Sequence, residues 1–115
     1  MLKRVAAHWL VIGGEKALPC AGVAVDSAGV VTEIFSLADA RFEPAETTFV
    51  DGFVAPFLAD VSAVEPDGLK VFLLTCAAKF DASIRVGSPA QLFNYFISEG
   101  GQVVATSLDG LLMNK

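Results

Sequence analysis

The sequence predicts a mainly-β fold, a β-sandwich or partial barrel with one α-helix near 68–80. Three observations predict it. Short apolar runs rich in Val, Ile and Phe recur along the chain, bounded by breaks containing Gly, Pro or Asp. Two of these breaks, Asp26-Ser27-Ala28-Gly29 and Asp109-Gly110, carry turn residues between apolar runs, which is the signature of a hairpin. Helical spacing of apolar residues occurs after Pro66.

Residues 4–12 (RVAAHWLVI) are rich in β-branched and aromatic residues and stop at Gly13-Gly14, as a first buried strand would. In AGVAVDSAGVVTEIFSL the Asp-first, Gly-last tetrapeptide predicts two antiparallel strands, because glycine takes positive φ without steric cost. Ala40 to Glu46 is polar, contains Pro44, and reads as a loop. Thr47–Val50 and Phe53–Ala55 read as short extended pieces broken by Asp51-Gly52. Beyond Pro66, Leu69, Phe72, Leu73, Cys76, Ala77 and Phe80 recur at i, i+3, i+4, i+7, i+8 and i+11, which aligns them on one helix face. Asp67 stands where a capping oxygen is wanted. Val71, Leu74 and Ala78 on the other side predict a helix covered on more than one side, with a strand through KVFLLTC as the competing reading. QLFNYFIS and QVVATSL, joined at Glu99-Gly100-Gly101, read as strands again, and Asp109-Gly110 separates Leu108 from Leu111 in a closing hairpin. One domain over 1–115 results: strands from 4–60 and 84–113 form one sandwich, joined by loop 61–68 and helix 69–80.

Of the 115 residues, 54% are hydrophobic, nine are Phe and only 18% are charged, against the ~25% charged of ordinary domains. Such a chain has too little polar surface to cover itself, which predicts a homodimer or other homo-oligomer. The net charge is −5 with scattered Lys and Arg, so a nucleic-acid partner is not expected. No apolar run approaches the ~18 residues of a spanning helix, so no membrane partner is expected either. MLKRVAAHWLVIGG superficially resembles a secretion signal, but His8 interrupts it and Ala-Leu-Pro before Cys20 is no processing site. Cys20 and Cys76 form no CxxC and read as reduced, buried thiols of a cytoplasmic protein.

The order of these elements resembles the amidohydrolase superfamily of metal-dependent hydrolases. Their composite β-sandwich is interrupted by a catalytic (β/α)8 barrel entered through a proline-containing strand. The opening strands with AGVAVDSAGVVTEI look like that sandwich's first three. Val54-Ala55-Pro56, Leu58, Ala59 and Asp60 fit the barrel entrance, with Phe57 in place of its glycine. LKVFLLTCAAKF looks like the last barrel helix, IRVGSPAQLFNYFIS like the return to the sandwich with Gln91 where Asp is usual, and VVATSLDGLLM like the closing hairpin. At the entrance the family carries His-x-His; Ser62 and Val64 occupy those positions here. A (β/α)8 barrel takes roughly 250 residues, whereas only residues 61–68 separate Asp60 from Leu69. The resemblance therefore implies a composite domain whose barrel is missing.

Family hydrolysis requires converging metal ligands. Valine has no donor atom, a neutral serine hydroxyl is a poor ligand, and His8 is the only histidine. The expectation is no enzyme, no metal and no cofactor. His8, Ser62 and Asp60 have the residue types of an acyl-transfer triad, but no G-x-S-x-G elbow accompanies them. Cys76 lies among apolar neighbours that make a thiol inert, and VGSPAQ reads as a turn, not a phosphate cradle. Trp9, Tyr95 and the phenylalanines read as core. Asp60 and Ser62 remain as tentative binding residues. The functional expectation is a non-catalytic module acting by self-association or protein binding. The alternatives are an accessory subunit completing a barrel supplied by another chain, and a small-molecule binder with its pocket between sheet and helix.

Overall fold

The computed structural model describes residues 3–13, 16–37, 47–81, 83–89 and 91–108. The fold is mainly β with one α-helix. Six strands, β1 (Lys3–Gly13), β2 (Lys16–Val25), β3 (Val31–Ser36), β4 (Thr47–Ala55), β5 (Phe93–Ile97) and β6 (Val103–Ser107), lie in one sheet in the order β3-β2-β1-β4-β5-β6. Helix α1 (Leu69–Phe80) lies between β4 and β5 in sequence. Every neighbouring pair is antiparallel except β1 with β4, which is parallel. Among the described residues all six strands belong to this one sheet, in place of the two layers of a sandwich, and α1 and connecting segments pack against it.

The two described turns form as their residues dictate. Asp26 Oδ1 accepts hydrogen bonds from the N–H groups of Ala28 and Val30, at 2.9 and 3.0 Å. Gly29, at φ 81°, donates its N–H to Asp26 O. This side-chain turn closes the β2–β3 hairpin. Between β5 and β6, Ser98 N–H donates to Gln102 O and Gly101 N–H to Ser98 O. The predicted loop over 40–46 and the closing hairpin beyond Leu108 lie outside the described residues.

Three local expectations are corrected. Asp51-Gly52 does not break the strand: β4 is continuous, and these two residues stand opposite the single residue His8 of β1, between the pairs Ala7–Val50 and Trp9–Phe53. Such a two-against-one insertion is a β-bulge. Asp67 does not cap α1. It sits in a 3-10 turn, Pro66–Gly68, and Gly68 occupies the cap position with no side-chain bond. The helix is not covered on the side opposite its buried residues Leu69, Leu73, Cys76 and Ala77: Val71 is 68% exposed and Ala78 is exposed, and only Leu74 is half-buried against the core. Phe80, expected on the buried side, is 48% exposed and meets the Phe57 ring edge-to-face.

Two cores result. Val5, Ala7, Leu10, Val23, Val25, Val31 and Val54 pack beneath Ile84, Leu92 and Leu108. Val11, Ala55, Phe57, Val61, Tyr95 and Val103 pack with the buried side of α1. Along a regular strand, residues on one face alternate. Yet Ala7 and Leu10 of β1 share a core at odd spacing, as do Ala21 and Leu18 of β2. The change of parity falls at His8 and Cys20, which the register places opposite each other. Cys20 there takes φ 46°, in the left-handed region. Together with the β4 bulge, an irregular row crosses three strands and re-aims their side chains.

Candidate functional site

The predicted site residues lie on the segment that leaves β4. Tyr95, fully buried, donates its hydroxyl to Phe57 O at 2.6 Å and accepts the Ala59 N–H at 2.9 Å. Burial pushes this phenol upward, partly offset by the Ala59 N–H bond. The tie fixes residues 57–59 over the sheet and so sets the start of the next turn. Asp60 Oδ1 accepts the Ser62 N–H at 2.9 Å, and Val64 N–H donates to Val61 O. Hydrogen bonds from the Ser62 N–H and hydroxyl lower the Asp60 carboxyl below its ordinary range, because they favour the charged form. The Asp60 carboxylate is thus engaged within its own turn, and Val64 packs toward the α1 core.

Asp60 and Ser62 nonetheless line a groove. Leu58, Ala59, Asp60, Val61 and Ser62 form one wall and Val103, Val104 and Ala105 of β6 the other, around an open volume of about 580 Å³. Leu58 is 63% exposed on its wall. Apart from Asp60 the lining is neutral and largely apolar, so the groove suits an extended apolar chain better than a charged substrate.

His8 takes Asp51 as its carboxylate partner, not Asp60: Nε2 lies 2.9 Å from Asp51 Oδ1, with both side chains exposed. The β4 bulge makes this contact by swinging Asp51 past His8. The His8 ring also meets Phe49 edge-to-face at 5.0 Å. Beside the pair is a cleft of about 280 Å³ lined by Gly52, Phe53, Leu69, Tyr95, Phe96 and Ile97. A methyl group on Gly52, at φ 150°, would stand 2.5 Å from Tyr95 O and 2.6 Å from Asn94 Oδ1, so β5 approaches there only because residue 52 is glycine. Asn94 Oδ1 is buried with no hydrogen-bond partner among the described residues. Sequence reasoning missed this cleft because Asp51-Gly52 has the composition of a turn; the two-for-one register is visible only once β1 and β4 are paired.

The remaining candidates stay apart. Among the described residues, no three His, Cys, Asp or Glu side chains are placed to share a metal ion. Cys76 is buried, and burial raises its thiol, with Lys79 acting in the opposite sense. Cys20, read as buried from the sequence, is exposed at the irregular row. Trp9 stacks on Phe53 and carries the Lys70 ammonium 3.5 Å from its ring centroid, so it is a half-buried surface ring and not core. Among the described residues no helix is long and apolar enough to cross a membrane. No protein-family model matches the chain and no curated protein matches it, so the amidohydrolase resemblance stands on its quoted motifs alone.

Proposed function

We propose that the protein is a non-catalytic, cytoplasmic β module that works by self-association or by binding a protein partner, and that it descends from an amidohydrolase composite domain whose barrel is gone. One observation carries the binding reading. Strand β6 (VVATS) lies at the end of the sheet, contains no charge, proline or glycine, and borders the apolar groove walled by 58–62. Edge strands are ordinarily protected by charge, proline, bulges or covering chain. The start of the opposite edge has such cover: Val31 of β3 donates its N–H to Ser88 O and accepts from Gly87 N–H, and Val30 bridges Pro89. An apolar edge that no described residue covers, beside a groove, is the geometry that accepts an added strand. Sedimentation velocity over a hundredfold concentration range tests self-association. A concentration-dependent rise in mass is expected, and a monomer throughout that also captures no partner would end the reading.

The cleft beside His8 and Asp51 favours a second reading, the small-molecule binder, because it lies between the sheet and the first residue of α1. Its volume of about 280 Å³ lies just below the ~300–1,000 Å³ range of ligand pockets, so only a small ligand would fit. Amide shifts confined to Gly52, Phe96 and Ile97 on addition of small aromatic fragments would support it. Their absence would leave the strand-edge reading alone.

A further inference from the structure

The hydrogen-bond parity of β6 specifies how a second copy would join it. Ser98 N–H bonds Gln102 O, Leu108 N–H bonds Leu92 O, and between them Phe96 pairs with Val104 and Asn94 with Thr106. In an antiparallel ladder the bonded pairs alternate. Gln102, Val104, Thr106 and Leu108 therefore direct their backbone groups into β5, and Val103 and Ala105 direct theirs outward. No described segment meets those outward groups.

Resting on the self-association reading above, we infer that two copies join edge to edge through β6, antiparallel, on a two-fold axis at Val104. Val103 then pairs with the partner subunit's Ala105, and Ala105 with the partner subunit's Val103, each pair exchanging both backbone bonds. Val104 faces the partner subunit's Val104 across the axis. A second copy is the occupant because β6 is complementary to itself in this register. Neither Val103, Val104 nor Ala105 brings a charge to the seam, and a β-branched pair on the axis is a favourable cross-strand contact. Closed two-fold pairing also consumes both open edges at once, so assembly stops at the dimer. Val104 is half-buried and Val103 buried in one copy, and the added strand would cover the remaining apolar surface of the groove.

The test is cysteine crosslinking in a Cys20→Ser background, which removes the exposed native thiol. Residues facing each other at a non-hydrogen-bonded antiparallel position have Cα atoms about 4.5 Å apart, within the range a disulfide spans. Val104→Cys is expected to give a crosslinked dimer under mild oxidation, and Thr106→Cys is not. Ala105→Pro removes an outward N–H while leaving the β5 ladder intact, and is expected to weaken dimerisation at least tenfold with circular dichroism unchanged. If that variant misfolds, Val104→Lys, which sets like charges across the axis, must weaken the dimer by a similar factor. A wild-type dimer that crosslinks at Thr106→Cys, or not at Val104→Cys, overturns this register and leaves self-association standing. A wild-type monomer overturns both.

Discussion

Tyr95→Phe isolates the contact that builds the groove wall. The substitution removes one oxygen and keeps the ring, which packs against Phe57 at a centroid distance of 6.2 Å. Two backbone groups lose their partner: the Phe57 carbonyl, bonded at 2.6 Å in a buried position, and the Ala59 N–H, bonded at 2.9 Å and half-buried. A buried group left unsatisfied costs about 1–3 kcal/mol. Water can reach the Ala59 N–H, so the carbonyl dominates and the sum is about 2 kcal/mol. With an unfolding entropy of ~2.1 cal/mol/K per residue, that loss lowers the midpoint by roughly 8 °C for a chain of this length. Urea unfolding followed by the fluorescence of Trp9, the single tryptophan, measures it directly. Protein concentration must be held constant, because a dimer stabilises the native state by mass action. A loss below ~0.5 kcal/mol, the range of a neutral surface change, would refute the claim that Tyr95 holds residues 57–59 in place.

Gly52→Ala forces a methyl group to within 2.5 Å of Tyr95 O at a φ of 150°; a loss of about 3 kcal/mol is expected by thermal unfolding. Within α1, Leu73→Ala should cost about 3 kcal/mol while Val71→Ala stays within ~0.5 kcal/mol, since one is fully buried and the other 68% exposed. A thiol reagent added to native protein should label Cys20 promptly and Cys76 only on unfolding; equal rates would contradict the placement of α1. Burial raises the folded Tyr95 phenol above its ordinary value of 10.0. Its contribution is thus fully present below pH 10 and lost as pH climbs through the folded value. The alkaline decline in midpoint should be shallower in Tyr95→Phe, compared by parallel melts.

How much of this was legible depended on whether a feature is local. The Asp26–Gly29 turn closes on its own side chain, and the spacing from Leu69 to Phe80 favours a helix over the competing strand through KVFLLTC, so both are local readings. The bulge could not. Asp51-Gly52 is chemically a turn, and what makes it an insertion is the partner strand, where His8 alone stands opposite. Asp67 has capping chemistry, but the 3-10 turn begun by Pro66 holds it, and the cap position ahead of Leu69 falls to Gly68. Cys20 reads as buried for want of a CxxC partner; in the sheet it takes a φ of 46° and is exposed. Asp60 and Ser62, tentative binding residues in the sequence, are joined by a hydrogen bond that serves their own turn.

The irregular row at Cys20, His8 and Asp51-Gly52 also bears on where the apolar excess of this chain goes. Strands with shifted parity present apolar side chains to two different cores, so β1, β2 and β4 absorb most of theirs inside the molecule. Strands β5 and β6 lack such a device and keep a regular register from Phe93–Ser107 to Ile97–Val103. The regular strand at the end of a sheet is also the one best suited to continue it, because a bulge or twist is what ordinarily prevents edge pairing. The same sequence that spends its irregularities in the middle of the sheet leaves β6 regular in register, uncharged and, among the described residues, unpaired on its outer side. That distribution, and not the exposed side of α1, is why association is assigned to β6: Val71, Thr75 and Ala78 on the helix are small or isolated, whereas Val103 and Ala105 offer a directed row of backbone donors and acceptors that another strand matches.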